Sequence, residues 1–359
     1  MSTAASSGSA TLALSRRQLL VASASLAAPA IIPSHVLGDP LFPGLTWPTA
    51  TPASVGLRAE KLNAARSFAM RFAGGAGCVI RDGKLVYSWG AFKQPYLIQS
   101  STKSWGSLVL GRAVENKGVN VREKARAYLP TVGQNPSSNA GTGWLDLLTV
   151  DQLATHTGGF PFPSGYSRME ARPGSRWIYS NCGTNWLGAL LTKVYGRDLR
   201  TVTQAEIFGP LGLTANDIVW RRAQFFNQPI DGIQVTEFNG GMRANVDAMA
   251  RFGYLYLNGG QWRTGRIVAA SWVQLSTRAY LPRIAVSTLR QHGLLWWNNN
   301  HNGMKGIPTD TFYSRGLNDN LTIVIPSLRL VVVRLGTDGW RNHGLKLASF
   351  LQPIVDAVI

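Results

Sequence analysis

The pattern of apolar and polar positions predicts that the chain begins its folded part with a helix and a hairpin. Residues 57–72 carry apolar side chains at helical spacing, with charged side chains on the opposite side. Two strand-like segments, 77–81 and 84–89, flank Asp82-Gly83, a dipeptide typical of a tight hairpin turn. We therefore expect a helix packed beside the first two strands of a sheet.

The middle of the chain, to about residue 287, predicts mainly helices and loops. Polar residues and glycines mark the ends of the predicted helices. Asn245 and Ser271 are expected N-caps, and Gly118 and Gly196 are expected to end helices. The predicted helices cover residues 100–116, 150–154, 185–194, 246–256 and 272–277.

Strand patterns return near the end of the chain. Residues 294–297 are one candidate, and the apolar segments 321–325 and 330–335, joined by a turn at Pro326-Ser327, are stronger ones. Residues 344–358 predict an amphipathic helix. We therefore expect an α+β fold, an α/β-type sandwich with an antiparallel sheet flanked by helices. Its sheet domain would comprise residues 57–98 and 288–359, and a mainly helical domain over residues 99–287 would be inserted beside it and carry the nucleophile proposed below.

The first thirty residues predict a targeting segment. A twin-arginine pattern, Arg16-Arg17, precedes an apolar run over 21–28 and the small-residue site Ala28-Pro29-Ala30. The apolar run is too short for a stable membrane anchor. We therefore expect a twin-arginine signal peptide over residues 1–30, an extended Pro- and Gly-rich lead-in over 31–56, and a periplasmic or secreted mature protein.

Composition narrows the classes of partner. The chain has 359 residues, 45% of them hydrophobic, and a net charge of +18. Its basic residues are scattered, mostly singly, whereas nucleic-acid-binding proteins gather them into a patch or motif, so we expect no nucleic-acid partner. Cys78 and Cys182 both lie in apolar segments, which favours two buried thiols; a disulfide between them is the alternative. The histidines show no metal-binding spacing, and the sequence indicates no oligomeric state.

Candidate chemistry begins with Ser100 and Lys103, which form an S-x-x-K motif. On a helix this spacing places both side chains on one face, with Ser100 in the first turn, where free N–H groups favour negative charge on oxygen. A lysine can activate a serine only when burial or nearby cations lower its pKa. Alone, the motif is better explained by a helix cap followed by a surface lysine.

A second motif, Y-x-N, stands at Tyr179 and Asn181. With S-x-T-K at 100–103 and the flanking segments 150–159 and 251–260, it makes the chain resemble the serine β-lactamase-like hydrolases over nearly its whole mature length. The resemblance is to the branch that holds class C β-lactamases, family VIII carboxylesterases, D-Ala-D-Ala carboxypeptidases and 6-aminohexanoate-dimer hydrolases.

The resemblance implies a β-lactamase/transpeptidase-like fold and acyl transfer through a serine ester, without a cofactor or metal. It implies Ser100 as nucleophile, with Lys103 as neutral amine or Tyr179 as phenolate taking its proton. Asn181 would hold Lys103 and contact the acyl side of the substrate, and the main-chain amides of Ser100 and Leu317 would form the oxyanion hole.

The third motif of the family is K-T-G, H-x-G or W-G-G, and its place here is taken by Ser314-Arg315-Gly316. Ser314 replaces the lysine or histidine, and in β-lactamases that lysine helps to hold the carboxylate of the drug, so lactamase activity is less expected. Gly316 is retained and would allow close backbone approach to substrate. We expect Ser314, Gly316 and Leu317 to join Asn181 in binding substrate, and proximity of Lys103, Tyr179 and Arg315 to perturb the pKa of the base.

The leading interpretation is a serine hydrolase acting on a small ester, amide or peptide-like substrate. The alternatives are a β-lactamase or D-Ala-D-Ala carboxypeptidase, and a non-catalytic scaffold that keeps the fold. His156 is interpreted as a structural loop residue, because the chain has no G-x-S-x-G motif for a serine–histidine triad.

Overall fold

The computed structural model describes residues 40–280, 291–336 and 344–359, so the predicted signal peptide lies outside the described residues. The α-helices are α1 (Ala59–Arg71), α2 (Thr102–Lys117), α3 (Ala125–Tyr128), α4 (Val150–Ala154), α5 (Asn181–Tyr195), α6 (Leu199–Thr203), α7 (Val246–Leu257), α8 (Ala270–Thr277) and α9 (Leu347–Val355). The strands are β1 (Ala76–Arg81), β2 (Lys84–Trp89), β3 (Tyr96–Leu97), β4 (Ile218–Trp220), β5 (Met242–Ala244), β6 (Gln261–Trp262), β7 (Gly265–Arg266), β8 (Trp297–Asn298), β9 (Phe312–Gly316), β10 (Asn320–Ile325) and β11 (Leu330–Leu335).

A six-stranded antiparallel sheet joins the two ends of the chain, in the order β2-β1-β11-β10-β9-β8. Cys78 on β1 lies opposite Val333 on β11, and Ile323 on β10 lies opposite Val332. Successive side chains alternate between two apolar cores, one shared with α1 and α9 and the other with α7. Both faces are covered, which explains why β10 and β11 read as continuous apolar runs. The predicted antiparallel sheet flanked by helices is confirmed.

A glycine allows α7 to pack directly on the sheet. A Cβ atom on Gly253 would lie 2.5 Å from Val331 Cγ1 and 2.7 Å from Thr322 Cγ2, so no side chain fits at this position. The helix is capped by Asn245, as predicted, whose side chain accepts the Ala248 N–H at 2.8 Å.

Several predicted boundaries differ from the structure, among them those of the last helix, which covers Leu347–Val355 and not 344–358. Residues 294–296 do not form a strand, because Leu295 adopts a left-handed conformation, and β8 covers only Trp297–Asn298. Helix α8 begins at Ala270, so Ser271 lies inside the helix and does not cap it. Helix α5 begins four residues earlier than predicted, because the Ser180 side chain caps it by accepting the Gly183 N–H at 2.8 Å.

A small sheet in the order β3-β5-β4 escaped the sequence analysis. Next to it, the Ile98 N–H donates to the Met242 carbonyl at 3.0 Å, which fixes the chain just before Ser100. Cys78 and Cys182 are free, buried thiols, as favoured from the sequence. Within the part of the chain that the structure describes, no helix is long and apolar enough to cross a membrane.

Candidate active site

Ser100 lies in a single 3-10 turn, Gln99–Ser101, that leads directly into α2. The turn is held on both sides: Ser101 Oγ donates to the Asn320 carbonyl at 2.6 Å, and Thr102 Oγ1 accepts the Met242 N–H at 3.1 Å. Gln99 has a φ of +52°, in the left-handed region that non-glycine residues rarely adopt. The surrounding bonds therefore fix the position of the serine in a locally strained turn.

Lys103 lies in the first turn of α2, whereas Ser100 precedes this helix and is not in its first turn as predicted. Lys103 is buried, with only 3% of its surface exposed. Its Nζ atom is 3.0 Å from Ser100 Oγ, 2.7 Å from Asn181 Oδ1 and 2.7 Å from the Asn239 carbonyl oxygen. The structure thus brings Ser100, Lys103 and Asn181 together as the two motifs predicted.

The ring of Tyr179 lies next to the Lys103 amine. Lys103 Nζ lies 4.8 Å from the centroid of this ring, and the nearby Ser100 side chain partly opposes the rise in the pKa of the Tyr179 hydroxyl. Two hydrogen bonds hold the chain on either side of Tyr179: the Ile178 N–H donates to the His156 carbonyl at 2.8 Å, and the Ser180 N–H donates to His156 Nδ1 at 3.1 Å. His156 therefore positions Tyr179, in agreement with its interpretation as a structural residue.

A second histidine lies behind the site. The rings of His156 and His292 are 4.9 Å apart, and burial lowers the pKa of both, that of His292 to about 4. The pair is therefore neutral at ordinary pH and adds no positive charge near Lys103. In residues 40–280, 291–336 and 344–359, no three His, Cys, Asp or Glu side chains are grouped so that they could hold a metal ion.

Burial sets the protonation states at the centre of the site. It lowers the pKa of Lys103 to about 7, with the Glu237 carboxylate opposing the shift, and it raises the pKa of Tyr179 to about 12. Arg315, which we expected to help shift these groups, is instead paired with Asp319 and is not a cause of either shift. A free amine is thus accessible near neutral pH, whereas a phenolate is not.

The cleft above Ser100 has a volume of about 440 Å³. Its walls are formed by aromatic rings and by the end of β9 with the turn after it. The lining residues are Ser100, Phe162, Trp177, Tyr179, Trp297, Arg315, Gly316, Leu317, Asn318 and Asp319. Two of the predicted substrate-binding residues, Gly316 and Leu317, thus line the cleft.

Ser314 does not line the cleft. Its side chain is fully buried, and its Oγ accepts the Thr322 N–H at 3.2 Å in the neighbouring strand, so the expected contact with substrate has no support from this placement. Gly316 approaches protein backbone: a Cβ atom there would lie 2.1 Å from the Ile98 carbonyl oxygen. The glycine thus lets β9 run directly beside the turn that carries Ser100.

Several residues of the site escaped the sequence analysis. Asn239 contributes only its carbonyl, and Asn185 Oδ1 holds that segment by accepting the N–H groups of Phe238 and Asn239, both at 3.1 Å. Any residue can supply a main-chain carbonyl, so the Asn239-Gly240-Gly241 run was the only available signal. Trp177 and Phe162 were not distinguishable from core aromatics by pattern.

Comparison with known proteins places this geometry in a family. The family model described as Beta-lactamase matches residues 60–343. A candidate D-alanyl-D-alanine carboxypeptidase of Escherichia coli strain K12 is 26% identical over 216 residues, 47% of this chain and 48% of that protein. The chain spans about half the length of the curated relatives it matches.

Solved structures agree on the fold. A candidate beta-lactamase from Bacteroides dorei superposes with a TM-score of 0.67 at 15% identity, over 84% of this chain and 99% of the other. EstCE1, a hydrolase with promiscuous acyltransferase activity, gives a TM-score of 0.63 at 16% identity, over 86% and 99%. Identities this low show the fold alone, and that fold is the β-lactamase/transpeptidase-like one expected from the sequence. Because the family model spans most of the sequence, the chain belongs to the Beta-lactamase family, whose members are hydrolases.

Proposed function

We propose that this protein is a serine hydrolase that cleaves a small ester or amide through an acyl-enzyme on Ser100. The observation that carries the proposal is the set of three partners around Lys103 Nζ. The oxygens of Asn181 and Asn239 can only accept hydrogen bonds. They engage both protons of a neutral amine, which leaves its lone pair directed at the Ser100 hydroxyl, the one partner that can donate.

In the proposed acylation, Ser100 Oγ forms a bond to the substrate carbonyl carbon while Lys103 Nζ takes the hydroxyl proton. The main-chain amides of Ser100 and Leu317 stabilise the negative oxygen that develops on the substrate. The bond from the carbonyl carbon to the leaving group then breaks. The leaving atom receives the proton from Lys103 through the Tyr179 hydroxyl, so the enzyme's net charge is unchanged.

Deacylation reverses these roles. Lys103 takes a proton from a water molecule, the resulting hydroxide attacks the acyl carbon, and Ser100 leaves with the proton returned. The pKa of Tyr179, raised to about 12, supports a phenol that relays protons over a phenolate that removes them. Of the two bases left open by the sequence, Lys103 is therefore the proposed one.

The test is hydrolysis of p-nitrophenyl acetate together with labelling by a fluorophosphonate. We expect a labelled peptide carrying the adduct on Ser100, located by mass spectrometry, and loss of both hydrolysis and labelling in Ser100→Ala. Ser54→Ala, an exposed serine, is the matched control and should behave as the wild type. An adduct on another residue, or an active Ser100→Ala protein, would refute the proposal.

A β-lactamase or D-Ala-D-Ala carboxypeptidase is the second candidate, favoured by the name of the Escherichia coli relative. Turnover of a chromogenic cephalosporin or of a D-alanyl-D-alanine peptide at a rate comparable to the ester would support it. A folded protein that neither reacts with any of these substrates nor labels would indicate a non-catalytic scaffold.

We also propose that the protein is exported by the twin-arginine route to the periplasm or cell exterior. The support is the order of Arg16-Arg17, the apolar run and the small-residue site. Replacing both arginines by lysine should leave the protein in the cytoplasmic fraction at its precursor mass. Unchanged export of that variant would contradict this route.

A further inference from the structure

An aromatic wall surrounds the Tyr179 ring in the cleft. The ring centroids of Phe162, Trp177 and Trp297 lie 6.1, 6.2 and 6.2 Å from that of Tyr179, and Trp297 is inclined to it by only 20°. Phe162 is 62% exposed although it is a large apolar residue. Exposed aromatic surface that lines a cleft favours a flat apolar ligand.

The position of the wall determines which part of an ester substrate contacts it. In the proposed mechanism the leaving oxygen must reach the Tyr179 hydroxyl, because that group returns the proton to it. The alcohol part of an ester then extends past Tyr179, where Phe162, Trp177 and Trp297 meet it. The acyl part is directed towards Asn181 instead. Arg315 lies next to the wall, on the alcohol side, because Trp297 stacks on Tyr313, which precedes Arg315 by two residues on the same face of β9.

Among the described lining residues of the cleft, the one cationic side chain is already balanced by a carboxylate. Arg315 and Asp319 are the charged side chains among its described lining residues, and Arg315 donates to Asp319 Oδ1 from Nε at 3.1 Å and from Nη2 at 2.7 Å. The Asp319 side chain is 3% exposed, so the pair is shielded from water on its acidic side. A substrate carboxylate would have to compete with Asp319 for Arg315.

A third charge, Arg334, lies behind this pair and does not line the cleft. Its guanidinium is fully buried and donates to the Asn318 and Asp319 carbonyls at 2.7 and 2.8 Å and to that of Phe72. These main-chain partners engage both of its terminal nitrogens, so it holds the turn in place behind the cleft.

From the wall and the ion pair together, we propose that the preferred substrates are neutral esters of flat aromatic alcohols, with the alcohol part against Phe162, Trp177 and Trp297. This inference rests on the proposed ester hydrolysis. The pairing of Arg315 with Asp319 discriminates against esters that carry a carboxylate on the same part.

The first test compares kcat/KM for benzyl butanoate and ethyl butanoate, two alkyl esters with the same acyl group. Burial of the phenyl ring should favour the benzyl ester by about tenfold or more. Phe162→Ala should lower that ratio at least about threefold, and Phe225→Ala, an equally exposed phenylalanine outside the cleft lining, should not change it. Equal rates for the two esters in the wild type would overturn the inference.

The second test adds 4-carboxybenzyl butanoate, which we expect the wild type to hydrolyse at least about tenfold more slowly than benzyl butanoate. Asp319→Asn removes the negative charge that balances Arg315, and asparagine tolerates the left-handed backbone of this position, so the relative rate of the charged ester should rise about tenfold. A wild type that prefers the charged ester, or an Asp319→Asn protein with an unchanged ratio, would contradict the role of the ion pair.

Asp319→Gly keeps the second test decisive if Asp319→Asn does not fold, because glycine also adopts the left-handed backbone of this position. This variant likewise leaves the charge of Arg315 unbalanced, so the charged-to-neutral rate ratio should rise, and an unchanged ratio would contradict the inference. Hydrolysis of no ester at all by the wild type would instead be a failure of the proposed function, distinguishable because p-nitrophenyl acetate would also be inert.

Discussion

Two buried basic side chains near the cleft, Lys103 and Arg334, have similar surroundings and different chemistry. Lys103 is 3% exposed and Arg334 is fully buried, and the terminal nitrogens of each have three oxygen partners. All three acceptors of Arg334 are main-chain carbonyls. One of the three partners of Lys103 is the hydroxyl of Ser100, which can reverse the direction of its hydrogen bond.

Burial acts on both groups but with different results. It lowers the pKa of Lys103 to about 7 and that of Arg334 to about 10. At neutral pH the lysine therefore exchanges its proton readily, while the guanidinium stays charged. Burial alone therefore does not identify a catalytic base. A buried group can act as a base only if its ordinary pKa is low enough and a neighbouring partner can donate a proton to it.

The largest expected effect is on activity at Lys103. Lys103→Met removes the proposed base and should lower kcat/KM for p-nitrophenyl acetate by about 10³-fold. Its free energy of unfolding should fall by only about 1 kcal/mol, because the cost of burying the amine disappears together with its two hydrogen bonds to Asn181 and Asn239. Lys117→Met, at the exposed end of the same helix, is the control. A Lys103→Met enzyme with near wild-type turnover would remove this lysine from the mechanism.

At Arg334 the main expected effect is on stability and not on activity. Arg334→Met leaves three carbonyls without their donors and should lower the free energy of unfolding by about 3 kcal/mol, read from urea denaturation. An Arg334→Met protein as stable as Lys103→Met would contradict a structural role for Arg334.

A smaller effect, dependent on the substrate, is expected at Tyr179. Tyr179→Phe removes the proposed proton relay, so turnover of ethyl butanoate should fall about 100-fold. Turnover of p-nitrophenyl acetate should fall much less, because p-nitrophenolate leaves without a proton. Equal losses on the two esters would mean that Tyr179 does not protonate the leaving group.

The sequence predicted those parts of the molecule whose residues interact with close neighbours or repeat regularly. Strands β10 and β11 were predictable from their Val- and Ile-rich runs, and Ser100 and Lys103 from a spacing that a helix places on one face. Strands β3, β4 and β5 have only two or three residues each and form only by pairing with distant chain, so no local pattern marks them.

Within the site, the roles carried by side chains were predicted better than those carried by backbone. The Asn239 carbonyl contacts Lys103, but any residue offers that group. Ser314 and Arg315 are neighbours on β9, and because side chains alternate along a strand, only Arg315 lines the cleft. Which of the two would do so depended on a register that the motif alone did not fix. The pairing of Arg315 with Asp319 likewise depends on the turn after β9.

The most direct test of the central claim is the rate of fluorophosphonate labelling of Ser100 as a function of pH. Below about pH 7 Lys103 is protonated and cannot take the serine proton, so the rate should be low there, rise through a midpoint near pH 7 and level off above it. A labelling rate that is independent of pH, or that rises only above pH 10, would contradict a neutral Lys103 as the base.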